Sequence, residues 1–159
     1  MKPQWRKGMV YEIVSKRQKK NPSQVKSPAD AYNLLKPYLN AEQEHFIIIT
    51  LNGAHKPIKV SIVSIGLINR TVVHPREVFI RAIQDKAAAI ILCHNHPSGS
   101  LDASPEDNDV TNRMCDAGEL VGIRVIDHII FSKNGYASLR QDGYFNKREK
   151  NERTKKIEI

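Results

Sequence analysis

His94 and His96 stand two residues apart at the end of an apolar run, Ala87 to Cys93, and Asp107 follows across a short loop. Strand alternation would send both imidazoles to one face. The loop Pro97-Ser98-Gly99-Ser100 leads to Ser104-Pro105-Glu106-Asp107, which reads as a helix start with Pro105 at the first helical position. Two imidazoles and one carboxylate suit a divalent metal such as zinc and leave the fourth position for water, as in catalytic sites. Asp107 also has a structural role open to it, because Ser104-x-x-Asp107 resembles a capping box with an acid favoured by the helix dipole. The two roles are compatible, since capping can turn a carboxylate toward a neighbouring strand end. Cys93 adjoins His94, but alternation aims it at the opposite face, as a buried thiol. Gly99 supplies conformational freedom to the loop.

These residues need elements to hold them. Ala88 to Cys93 is continuous and rich in β-formers, the pattern of a central buried strand. A helix is expected from Ser104 to about Glu119, ending near Gly122. Upstream, Met9 to Val14 alternates weakly as an early edge strand, and Lys16 to Lys26 is a polar, basic linker or loop. Ser27-Pro28-Ala29-Asp30 opens a helix that Pro37 limits. Glu44 to Leu51 is a strongly apolar strand closed by Asn52-Gly53, with Pro57 to Ile65 as its antiparallel partner. His74-Pro75-Arg76-Glu77 begins a second helix. Arg124 to Ser132 and Tyr136 to Leu139 form a hairpin around Asn134-Gly135. Together these predict an α/β (α+β) fold, a mixed sheet flanked by helices.

A chain of 159 residues supports one domain with a real core. The longest apolar run is far short of a membrane span, no secretory signal is visible at the start, and two cysteines make no disulfide framework. A cytoplasmic protein with free thiols is the expectation. The net charge of +8 is unevenly placed: residues 1–27 carry +7, residues 147–159 carry +3, and 28–146 carry −2. The organisation read from this is a basic N-terminal segment (1–27), a body (28–146) and a basic C-terminal tail (147–159), the tail being helical and solvated or disordered. Basic ends can hold nucleic acid weakly and nonspecifically, although a solvated charged terminus is the plainer reading.

Other His-x-His arrangements do not fit. A cupin needs a Glu a few residues after the second His, where this chain has Pro97-Ser98-Gly99-Ser100. An amidohydrolase places the pair in a barrel of about 250 residues. His94-Asn95-His96 spells the letters of the HNH nucleases, but in those the three residues are dispersed over a ββα element. The pattern His94-x-His96-x7-Ser104-x-x-Asp107 resembles the JAMM signature of the JAB/MPN metalloproteases. The string His94-Asn95-His96-Pro97-Ser98-Gly99 is similar to its RadC-like bacterial branch. Similarity continues in Glu44-His45-Phe46, His74 to Phe79 and Asp127-His128-Ile129-Ile130, and covers roughly residues 28–145. Two departures stand out. Ala103 and Pro105 flank Ser104 where those proteins usually have Pro-Ser. Longer RadC proteins begin with a helix-hairpin-helix module, which residues 1–27 cannot contain.

The resemblance implies a JAMM, cytidine deaminase-like fold and a zinc-dependent hydrolase of peptide or isopeptide bonds, family-linked to DNA repair. It makes His94, His96 and Asp107 the Zn2+ ligands, Ser104 the oxyanion stabiliser and Glu44 the general acid/base. Glu42, two residues away on the same face, is the alternative base. Zinc lowers the pKa of a bound water from about 16 to about 7, and the Glu would carry its proton to the leaving amine. The expected partner is a peptide or protein substrate, with no membrane. The rival function is a non-catalytic, DNA-repair-associated accessory protein that binds nucleic acid through its basic ends. Asp127 and His128 match the family too, and a structural hydrogen bond is their simplest role. Substrate identity and oligomeric state are not encoded in these motifs.

Overall fold

The computed structural model describes residues 23–66 and 73–157. The early strand expected at Met9–Val14 lies outside them. Ser27 caps the first helix, α1 (Pro28–Leu34), in a full capping box with Asp30, and Pro28 occupies its first turn. The chain then tightens into a single 3₁₀ turn, Lys36–Tyr38, at the proline expected to limit the helix.

The next two segments form the hairpin β1 (His45–Leu51) and β2 (Pro57–Ile65). They pair antiparallel as expected. In the turn between them the Asn52 side chain accepts from the backbone N–H groups of Ala54 and Lys56. Helix α2 (Pro75–Gln84) starts after His74, again with proline in its first turn, and buries Val78, Phe79 and Ala82. Strand β3 (Ala89–Asn95) is buried along its whole length. Helix α3 (Pro105–Val121) is capped by Ser104 and closes at Gly122, whose φ of 73° is the left-handed geometry glycine adopts without a steric cost. Strands β4 (Arg124–Ser132) and β5 (Gly135–Ser138) form the last hairpin.

The five strands make one mixed sheet in the order β2-β1-β3-β4-β5. β3 runs antiparallel to β1 and parallel to β4, with α3 as the crossover between them. Alternation divides the apolar residues of the central strands between two layers. Ile47, Ile49, Ile91, Cys93, Ile129 and Phe131 pack on the α1 side. Phe46, Ile48, Ile90 and Leu92 pack against Val78 and Phe79 of α2 and Val110 and Met114 of α3. Burial on both faces explains why these strands read as unbroken apolar runs, and each fully buried Ile or Leu contributes about 1.5–3 kcal/mol. The thiols of Cys93 and Cys115 are free and buried.

A last helix, α4 (Tyr144–Ile157), covers most of the basic C-terminal stretch. It crosses the boundary expected between 146 and 147, because Phe145 is buried with Cys115, Ile130 and Leu139. The tail is thus rooted in the core at its first turn. Among the described residues no helix is long and apolar enough to cross a membrane.

Candidate metal centre

The topology brings three ends to one place. β3 delivers His94 and His96 at its C-terminal end, α3 begins beside it, and antiparallel pairing sets the start of β1 alongside. In that register Phe46 faces His94, so Glu44, two residues earlier, comes opposite His96. His94 is fully buried, His96 and Glu44 half-buried, and Asp107 buried.

The side chains converge. The Nε2 atoms of His94 and His96 are 2.8 Å apart. Asp107 Oδ1 lies 3.1 Å from His94 Nε2, and Oδ2 lies 3.5 Å from His96 Nε2. One ligand atom from each of the three residues falls within 4.8 Å of the others, a spacing that could hold a metal ion. The chemistry of the donors agrees. His96 Nδ1 is 3.0 Å from the Ser100 carbonyl, which can only accept; Nδ1 therefore carries a proton, and Nε2 is the ring nitrogen turned toward the carboxylate.

Asp107 closes the capping box and also faces the two imidazoles. Its N–H donates to Ser104 Oγ at 3.1 Å while Ser104 N–H donates to its Oδ2 at 2.7 Å, completing the capping box. Burial by itself would raise the pKa of this carboxyl. Hydrogen bonds from His94, His96 and the Ser104 N–H outweigh it and hold the group well below the usual carboxylate range. His96 shifts the other way: the hydrogen bond with Asp107 raises its pKa against the opposing effect of burial, and Glu44 adds to the rise. Glu44 is therefore close enough to be felt at the cluster. Glu42 is exposed and lines a cavity of about 420 Å³ that also touches His96, Leu39, Gly99 and Lys133.

Two supporting residues, Asn95 and Thr111, carried no distinct signal in the sequence, whereas His128 was expected there to make a structural hydrogen bond. Asn95, between the two histidines, accepts from His45 N–H at 2.6 Å and donates to the Gln43 carbonyl at 3.0 Å. It clamps the backbone on either side of Glu44. His128 Nε2 is 2.8 Å from His94 Nδ1, and His128 Nδ1 is 2.6 Å from Thr111 Oγ1. Asp127 points to the other face of β4, where it accepts from Ser138 Oγ and from the Arg140 N–H. The sequence pair Asp127-His128 is thus structural on one side and adjoins the cluster on the other. Gly99 has a φ of +86°, and a Cβ there would lie 3.2 Å from Asn134 Nδ2.

A five-stranded mixed sheet with a His-His-Asp cluster at a strand end, facing a helix N-terminus, is the arrangement that the JAMM pattern implies. Over residues 25–144 the chain matches the RadC-like JAB domain, and it belongs to that family. It is 51% identical over 102 residues to a UPF0758 protein of Methanospirillum hungatei, covering 64% of this chain and 45% of that protein. A UPF0758 protein of Alkaliphilus metalliredigens is 47% identical over 122 residues, 76% of this chain and 53% of the relative. One from Caldanaerobacter subterraneus is 45% identical over 122 residues, 76% and 52% of the two chains. The chain spans about half the length of the curated relatives it matches.

Proposed function

We propose that this domain is a zinc-dependent hydrolase of peptide or isopeptide bonds, with His94, His96 and Asp107 holding the ion. The observation that carries the reading is the convergence of two imidazole Nε2 atoms and an ionised carboxylate within 4.8 Å. A Zn2+ ion bound there would supply Lewis acidity and bring the pKa of a water ligand toward neutrality. Glu44, opposite His96, takes the proton from the attacking water and returns it to the leaving amine. Ser104 accepts the Asp107 N–H through its oxygen, which leaves its hydroxyl hydrogen to donate to the developing oxyanion. The cavity between His96, Leu39, Gly99 and Lys133 gives a substrate chain room to approach from one side.

The test is metal analysis of the purified protein, followed by a peptide and isopeptide library screen of the zinc-loaded form. The expected result is about one zinc per chain, lost in Asp107→Ala, and turnover abolished by Glu44→Gln with zinc retained. Absence of zinc from the wild type, or its retention in Asp107→Ala, would overturn the proposal. Turnover that survives Glu44→Gln moves the base to Glu42.

The free, buried thiols fit a cytoplasmic setting, and a place in DNA repair is part of the same proposed reading. The +7 and +3 charges of residues 1–27 and 147–159 favour a second reading, an accessory protein held on nucleic acid by its ends. Binding to duplex DNA that weakens steeply with salt, and disappears when residues 1–22 are deleted, would support it. No binding at low salt removes it.

A further inference from the structure

Asp107 and Thr111 are one turn apart on α3, so both side chains face the sheet. The Thr111 hydroxyl lies 2.6 Å from the backbone carbonyl of Asp107. Two oxygens this close need a hydrogen between them, and a carbonyl has none to give. The hydroxyl hydrogen is therefore committed there. Thr111 Oγ1 is also 2.6 Å from His128 Nδ1, and with its own hydrogen already used it can only accept. His128 must then carry its proton on Nδ1. As a neutral ring it presents a bare Nε2 to His94 Nδ1 at 2.8 Å, and His94 in turn must donate from Nδ1. The position of one hydroxyl hydrogen thus makes Nδ1 the donor nitrogen of His94.

We propose that Thr111 and His128 are positioning residues that keep a proton on His94 Nδ1, so that Nε2 is the nitrogen turned to the point shared with His96 and Asp107 and available to a metal ion there. The proposal rests on the reading of His94 as a metal ligand. The surroundings hold the relay in this polarity. His128 and Thr111 are both fully buried, and the Phe46 ring stands edge-on to His128 at 5.9 Å between centroids. Water has no access to offer either ring an alternative partner. The relay closes on itself, since it starts at the ring of one ligand and ends at the backbone of another. His94 and Asp107 come from different elements, β3 and α3, and their relative position is set by this path as well as by packing.

Long-range 1H–15N correlation of the imidazoles in the metal-free wild type reads the tautomers directly. His94 and His128 are both expected to carry the proton on Nδ1. A proton on His128 Nε2 overturns the relay whether or not any metal binds. Co2+ titration then compares wild type, Thr111→Ser and Thr111→Val. The valine is nearly isosteric but removes the acceptor for His128. It is expected to weaken Co2+ binding by about 10–100-fold, the range for loss of a partner behind a metal ligand. It should also alter the visible Co2+ absorption envelope, and serine should restore both. Equal affinity and an unchanged spectrum in Thr111→Val would refute the positioning role. Failure of the wild type to bind Co2+ or Zn2+ removes the metal reading, while the tautomer measurement still decides the relay.

Discussion

Asp107 shows how much one side chain carries here: it closes a capping box and stands within reach of two imidazoles. Its replacement should separate those roles. Asp107→Ala keeps the Ser104 N-cap, which accepts a backbone N–H, and loses the reciprocal bond from the Ser104 N–H, at about 1 kcal/mol of stability, whereas a binding role makes the loss of metal far larger in effect. Equilibrium dialysis against zinc, run beside urea melts, measures both, and unchanged zinc affinity would leave Asp107 with capping alone. Asn95→Ala is expected to behave in the opposite way. It removes the acceptor of the part-buried His45 N–H, at about 1 kcal/mol, while the Gln43 carbonyl keeps its bond with His45 Nδ1. It also frees the segment bearing Glu44, so turnover should fall by more than zinc content. The His-His-Asp cluster was readable from the chain because it obeys local rules: strand alternation for His94 and His96, and a Ser-Pro helix start for Asp107. Asn95, Thr111 and His128 were not readable as a group. Their partners are set by the register of β1 on β3, of β4 on β3, and by the turn of α3 over both, and none of these registers is a local property of sequence.

At the scale of elements, proline and a polar cap marked two helix starts, Ser27-Pro28 and Ser104-Pro105, while His74-Pro75 begins α2 without a side-chain cap. Strand ends were harder. β3 runs on to Asn95, past the apolar run, because His94 pairs with both Phe46 and Ile130; burial of a polar residue in a sheet is invisible to a hydrophobic pattern. α4 was ambiguous for the converse reason, since beyond Phe145 its sequence has little apolar signal. β4 contributes a pH-dependent element of its own. Burial raises the pKa of the Asp127 carboxyl, even though Ser138 Oγ and the Arg140 and His128 N–H groups all donate to it. A folded pKa above the unfolded one means a contribution fully present below the ordinary value of about 3.9 and lost as pH rises through the folded value. Urea melts of wild type and Asp127→Asn from about pH 4 to 7 should therefore show the wild type losing stability relative to the variant as pH increases. A difference that stays flat with pH would contradict this.

For the molecule as a whole, the two layers on the sheet have different tasks. The α1 side packs a core around Ile47, Ile91 and Phe131, whereas the α2–α3 side is core up to His94 and then gives way to the His-His-Asp cluster. Each member of the cluster is also held by a protein partner of its own: His94 by His128, His96 by the Ser100 carbonyl, and Asp107 by the Ser104 N–H. The site's geometry is therefore assembled by folding and does not wait for an ion, unlike small domains in which metal binding and folding are one event. Treatment with a chelator should leave the far-ultraviolet circular dichroism unchanged and lower the melting temperature only by the linkage expected for a lost ligand; a collapse of secondary structure would contradict this. If zinc is the ligand, abundance and activity become separate quantities: the cell can accumulate the empty protein, and zinc supply, rather than synthesis, sets how much of it is switched on.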